Sequence, residues 1–331
     1  MKQTALLFVV SLLCACLGAT IWHVNSNPDM GADFTSLSTA VGHATVLAGD
    51  TLYVYGAPTI YADIAFNKRL TIIGPGYFLN ENAGLQQNPI PAQINNITIN
   101  AGGQGSVIAG LQINAQLSFN TASCVVQRCY VGRLYLQGPN CFATQCFIGT
   151  GSYDAVVVEN VAINFLITNS YIYKNNSTLR TIYMHDSSSG SIVNCVLRGY
   201  QHIIRNAEFY NNIVVPLGAA SLNKNANCSV HHNVFLAGTS GDWDTIVSPV
   251  DNLTNVTTPV FAGTGTTDGQ WQLGAGSVAI GYGVNGVDCG IYGGQTPYKL
   301  SGIPAIPTIY EFYAPSTGFN IPIQLRARSN N

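Results

Sequence analysis

Nine residues able to move protons or meet charge crowd into positions 183 to 232: Tyr183, His185, Asp186, Arg198, Tyr200, His202, Arg205, His231 and His232. A histidine or tyrosine in such a group can serve as a base, and an arginine can neutralise a substrate carboxylate. His185-Asp186 is the sharpest pair, and with His202 and Arg205 it forms the candidate catalytic set. Acids are scarce, since residues 106–235 hold only Asp154, Glu159, Asp186 and Glu208. Glycoside hydrolysis needs two carboxylates facing one bond, and none of these four shares a column of the repeat that carries them. Histidine and arginine reach about this density by chance, so solvated corner and face residues are the plainer reading.

The elements that must position these groups are visible as a repeat. Cys124-Val125-Val126-Gln127-Arg128-Cys129-Tyr130-Val131-Gly132 matches Cys141-Phe142-Ala143-Thr144-Gln145-Cys146-Phe147-Ile148-Gly149 in character, position by position. The block recurs about Leu111, Ser170, Cys195, Asn212 and Asn233, with spacings of 18, 17, 24, 25, 17 and 21 along the series. Irregular periods near twenty, with one small polar or Cys residue at a fixed place in a β-rich string, mark a solenoid.

The columns of this repeat tell which way side chains point. Three residues before each centre stand Val126, Ala143, Ile167, Ile192, Phe209 and Val230; two residues after stand Val131, Ile148, Ile172, Leu197, Val214 and Phe235. Both columns are apolar, so both face the core. Strand side chains alternate with period two, so the parity must slip once between them. A slip repeated in every turn is a corner, and polar residues occupy it: Gln127 and Arg128, Thr144 and Gln145, Asn211, His231 and His232. The prediction is an all-β chain, a parallel β-helix, with a right hand assigned by the crossover rule.

One residue past the centre, the column Tyr130, Phe147, Tyr171, Val196, Ile213, Val234 points outward. Stacked outward aromatics can pack on sugar rings, which makes Tyr130, Phe147 and Tyr171 candidate ligand-binding residues. The competing and favoured reading is a stripe covered by a loop or by the C-terminal segment. Of the seven cysteines after residue 19, Cys124–Cys141 and Cys129–Cys146 read as buried ladders, with Cys228 returning to the first column. Cys124 and Cys129 lie too far apart along the chain, about 10–15 Å, to share a tetrahedral ion. No metal site is expected, and inter-turn disulfides are the second choice.

Charged residues make up only 8% of the 331, with net charge −2 and no basic run. Stacked ladders at about 4.8 Å disfavour like charges, and nucleic acid is not an expected partner. Residues 1–19 read as a signal peptide, with Lys2 ahead of an apolar run too short to span a membrane. Cys16 offers a lipoprotein alternative. The chain is therefore expected to be secreted or on the outer cell surface, and monomeric, with polysaccharide as a possible partner.

Leu37, Ala40, Val41, Ala44 and Leu47 predict a short amphipathic helix with Thr35 or Ser36 as N-cap, covering the open end of the first turn. Insertions at 80–93, 149–154 and 174–186 interrupt the period and should collect on one face. The β-helix with its N-terminal cap is placed at 20–265. Residues 266–331 are Gly/Pro-rich, with two strands expected at 308–313 and 321–327, and read as a C-terminal β cap on the last turns.

The architecture resembles the pectin lyase-like superfamily. At closer range, residues 21–25 through 49–54, the run 68–79 (KRLTIIGPGYFL), and 276–281 through 289–290 to 297–302 look like uncharacterised secreted β-helix proteins of Bacteroidetes-type bacteria. That closer group brings no activity with it. Superfamily lyases pair a calcium site of several Asp/Glu with an Arg or Lys base, and polygalacturonases cluster Asp on adjacent turns. This chain has no paired Asp-Asp, Asn-Thr-Asp, Gly-His-Gly or Arg-x-Pro-x-x-Arg. The resulting expectation is a non-catalytic, glycan-binding or adhesive β-helix without cofactor. The alternatives are a lyase on an acidic glycan, for which calcium would be implied, and a purely structural module.

Overall fold

The computed structural model describes residues 18–149, 151–241, 251–314 and 323–330. Nearly all of the expected signal peptide, and Cys16, lie outside the described residues. The chain coils into a parallel β-solenoid. A ten-stranded parallel sheet takes one strand from each turn, in sequence order from Ile21–Val24 to Ser229–His231. A second, larger sheet bends round the coil and supplies two further faces. Tyr130–Val131 pairs with the first half of the long strand Gln112–Phe119, and Leu134–Leu136 pairs with its second half.

The register reproduces the predicted columns residue by residue. On the first face Val126 neighbours Ala143, then Ile167, Ile192, Phe209 and Val230. On the second face Val131 neighbours Ile148, then Ile172, Leu197, Val214 and Phe235. All twelve are buried in one continuous core. Between them sits the corner. Arg128, Gln145, Asn169, Asn194, Asn211 and His232 all have φ between 47° and 57°, the left-handed region that reverses parity in a single residue.

The centre column is small and polar for a reason the register shows. The Cys129, Cys146, Ser170, Cys195 and Asn233 side chains fold back on the carbonyl two residues earlier, while Asn212 reaches Ile192 O on the preceding turn. Cys146 Sγ donates to Thr144 O at 3.1 Å, Ser170 Oγ to Thr168 O at 2.8 Å, and Asn233 Nδ2 to His231 O at 2.9 Å. The column ends in an asparagine ladder, in which Asn212 donates to Asn233 Oδ1 and Asn233 to Asn252 Oδ1. All seven described cysteines are free and buried, and burial pushes the Cys146 and Cys195 thiols up to about 12. They pack as small hydrophobes, and those of the centre columns direct their thiols at carbonyls of their own and the preceding turn.

The N-terminal helix forms over Leu37–Gly42, capped by Ser36, whose hydroxyl accepts from Thr39 N. It is shorter than the periodicity implies. Gly42 and the His43 side chain, which binds Thr45, end it, so Val46 fills the core while Ala44 and Leu47 face solvent.

The C-terminal region does not stop at the last turn. Residues 279–303 run back along the side of the coil toward its N-terminal end, over the corner column. Val284 N donates to Asn211 Oδ1, Asn194 Nδ2 to Asp288 O, and Asn169 Nδ2 to Ile291 O and Gly293 O. Gln145 Nε2 then donates to Pro297 O, and Arg128 Nη1 to Ile303 O. This strap ends in an antiparallel pair, Thr308–Tyr313 with Gln324–Arg328. The pair lies against the 80–93 loop, where Gln87 N donates to Ile309 O and Arg328 Nη2 to Leu85 O. A clasp of two buried phenols, Tyr77 and Tyr298 with hydroxyls 2.6 Å apart, locks strap to coil.

Candidate functional site

Beneath the strap lies a second apolar core, separate from the interior of the coil. Phe147, Tyr171, Val196, Ile213 and Val234 of the outward column pack there against Val260, Ala279, Cys289, Ile291 and Tyr298. The covered-stripe reading therefore holds for most of this column. It does not hold for its N-terminal end. Ahead of the strap proper, the turn at Gly269–Trp271 bridges the stripe without filling it. An open cleft of about 310 Å³ remains, lined by Phe78, Tyr130, Phe147, Tyr171, Tyr173, Arg198, Thr267, Gln270 and Trp271.

The cleft wall is a continuous aromatic array. Tyr130 and Phe147 lie nearly parallel, 6° apart with centroids 5.9 Å apart, because one turn of the coil separates them in register. Phe147 meets Tyr171 at 4.6 Å, Tyr171 stacks on Trp271 at 4.4 Å, and Phe78 stands edge-on to Tyr130 and Phe147. The Arg198 guanidinium lies 5.3 Å from the Tyr173 ring centre and 5.6 Å from that of Trp271. Burial holds Tyr171 protonated well above the ordinary phenol range, against the opposing influence of the nearby Arg198 charge. All three predicted ligand-binding residues are here. Phe78 and Trp271 were missed because they come from turns outside the repeat, and Tyr173 because the columns were read only to two residues past each centre.

The candidate catalytic set is not brought together. His202 lies inside the coil with no exposed surface, in register with Ile182 and Leu222, and both ring nitrogens lack a hydrogen-bond partner. Desolvation lowers its pKa to about 4. It is a neutral core residue and cannot reach a solvent-side substrate. Arg205 is engaged by Ile204 O, Asn223 O and the exposed Asp186 carboxylate at 3.2 Å. His185 lies apart from that pair, 3.5 Å from Glu159, with its ring against Tyr183.

The face built by Leu134–Leu136, Val156–Val158 and Ile182–Met184 carries the other polar constellation. Gln137 Nε2 donates to the Tyr135 hydroxyl, which donates to Glu159 Oε1 at 2.5 Å, and the other Glu159 oxygen faces His185. Burial and the Glu159 carboxylate raise the Tyr135 pKa, which opposes the phenolate that a tyrosine base requires. Arg180 pairs with Asp154 and covers the Tyr183 ring at 4.2 Å. The 149–154 and 174–186 insertions meet beside this face, joined by Lys174 Nζ donating to Gly151 O. His231 lies on the far first face, stacked on Tyr210 and touching His232. Among the described residues no three His, Cys, Asp or Glu side chains converge as metal ligands.

No protein-family model matches the chain, and searches of curated proteins and of solved structures returned no match. The resemblance is thus supported at the level of the parallel β-helix. No helix among the described residues is long and apolar enough to cross a membrane.

Proposed function

We propose that the chain is a non-catalytic β-helix protein of the cell surface or the secreted fraction that binds a glycan in the aromatic cleft. Kinship with pectin lyase-like proteins of Bacteroidetes-type bacteria, export by the leader, and a monomeric state belong to the same proposal. The cleft carries it. Flat, fixed aromatic rings offer the low-entropy apolar platforms on which sugar C–H faces pack, and Gln270, Thr267 and the tyrosine hydroxyls supply hydrogen bonds at the rim. The rest of the outward stripe is covered, so a cleft in which Phe78, Tyr130, Tyr173 and Trp271 stay partly exposed over buried Phe147 and Tyr171 is a local exception that packing of the coil does not require.

The test is titration calorimetry on the mature protein with soluble oligosaccharides of pectate, alginate, hyaluronan, chondroitin, cellulose and chitin. Tyr130→Ala and Trp271→Ala should each weaken binding by about 1–3 kcal/mol, the range for truncating an aromatic contact. Binding to none of these, or binding indifferent to both substitutions, would sink the reading. The lyase alternative rests on the Tyr135–Glu159–His185 chain. Unsaturated products in an ultraviolet eliminase assay, lost in His185→Ala, would replace the binding reading with it.

A further inference from the structure

The cleft holds a charge that its own packing leaves unanswered. Arg198 is, among the described residues, the one charged side chain in the lining. Among the described residues no carboxylate pairs with it; the five ion pairs there use Arg180, His185, Arg205, His231 and Arg326. Its close contacts are the rings of Tyr173 and Trp271. The two acids nearest in sequence to the lining are engaged elsewhere. Glu81 accepts Thr267 N, and buried Asp268 accepts from Asn82, Thr266 and Ser301 N.

We propose that the cleft selects a sugar ring bearing an anionic group, carboxylate or sulfate, which pairs with Arg198 while the ring stacks on the aromatic wall. This rests on the glycan-binding reading. A guanidinium is less strongly hydrated than an ammonium, and its planar fork pairs two oxygens of a carboxylate or sulfate at once. Ring contacts on its faces leave the edge donors as the group's remaining bonding capacity. They also hold the side chain in place before the ligand arrives, so little ordering entropy is lost on binding. Register fixes where the charge sits. Arg198 follows Tyr173 one turn along the same column, so the anionic group meets the C-terminal end of the wall while a neighbouring ring covers Tyr130 and Phe147.

The experiment compares oligosaccharides matched in length: a neutral galactan, an oligogalacturonate and a sulfated galactan, titrated into wild type, Arg198→Gln, Arg198→Lys and Tyr130→Ala. Wild type is expected to bind at least one anionic series about tenfold or more tightly than the neutral one, with the gap narrowing at high salt. Whichever series gains identifies the group as carboxylate or sulfate. Arg198→Gln should bring the ratio close to one, and Arg198→Lys, which keeps charge but not the planar stack, should lower it. Equal wild-type affinities, or a preference that survives in both Arg198 variants, would overturn the proposal. Neutral binding that still falls in Tyr130→Ala would then leave the glycan cleft standing. If Tyr130→Ala changes nothing, both readings fall together. Circular dichroism of each variant guards against misfolding, and Arg198→Lys decides the matter if Arg198→Gln does not fold.

Discussion

His202 is a core side chain of the wrong chemistry. It occupies one place in a column that otherwise reads Leu117, Leu134, Val156, Ile182 and Leu222, and neither nitrogen finds a partner. A buried unsatisfied polar group is destabilising, and here it is also titratable. The unfolded chain protonates this histidine near 6.5, while the folded chain resists until about 4. Between those values the unfolded state holds the extra proton, so stability is full above 6.5 and falls steadily as pH drops toward 4. The loss over that window amounts to roughly 3 kcal/mol. Urea unfolding from pH 7.5 to 4 should show this slope, and His202→Leu should flatten it and raise the midpoint at neutral pH. A variant with the same pH dependence as wild type would place the titration elsewhere.

At the scale of elements, the corner column does two jobs with one residue per turn. The left-handed backbone turns the strand, and in Arg128, Gln145, Asn169 and Asn194 the side chain reaches out to a strap carbonyl. Asparagine suits both, since it tolerates positive φ better than other side chains. Asn169 is the clearest case, with a φ of 47°, two bonds donated to strap carbonyls at 3.0 and 2.7 Å, and one accepted from Thr296 Oγ1 at 3.1 Å. Asn169→Gly keeps the turn and removes only the bonds, so it should destabilise by roughly 2–4 kcal/mol through the two carbonyls left buried. The measurements are thermal melting and proteolysis of the 279–303 segment. Cleavage there should quicken ahead of global unfolding, and unaltered cleavage would mean that the apolar contacts alone hold the strap. On the first face Gly190 shows the reverse constraint. A Cβ there would stand 2.4 Å from Phe165 O and 2.5 Å from its ring, so the column Cys141, Phe165, Gly190, Ala207 alternates bulk with space to keep the coil filled.

For the whole molecule, the strap turns an open coil into a two-core protein and builds the cleft as it does so. Each large side chain it covers is worth about 1.5–3 kcal/mol of burial, and the covered set includes Phe147, Tyr171, Val196, Ile213 and Val234. A chain ending at residue 265 should therefore keep parallel-β circular dichroism but bind a hydrophobic dye and self-associate in ultracentrifugation. A dispersed monomer without dye binding would show the stripe to be harmless when bare. The coil itself was legible from residues alone. Cys129 and Cys146, Val126 and Ala143, and Val131 and Ile148 stack on their own repeats, so each turn reports the next one's environment and the inward and outward columns follow from spacing. His202 was misplaced because the long strand Val196–Ile204 slips register between Gly199 and Gln201. That second parity change turns His202 inward, where simple alternation from Leu197 would have sent it out. The strap's route was illegible for another reason: Arg128, Gln145, Asn169 and Asn194 bind its backbone carbonyls, which every residue carries alike. Local periodicity thus determined the solenoid and its core. Contacts between segments 73 to 175 residues apart, made through backbone atoms without side-chain identity, decided which aromatics were covered and where a cleft stayed open.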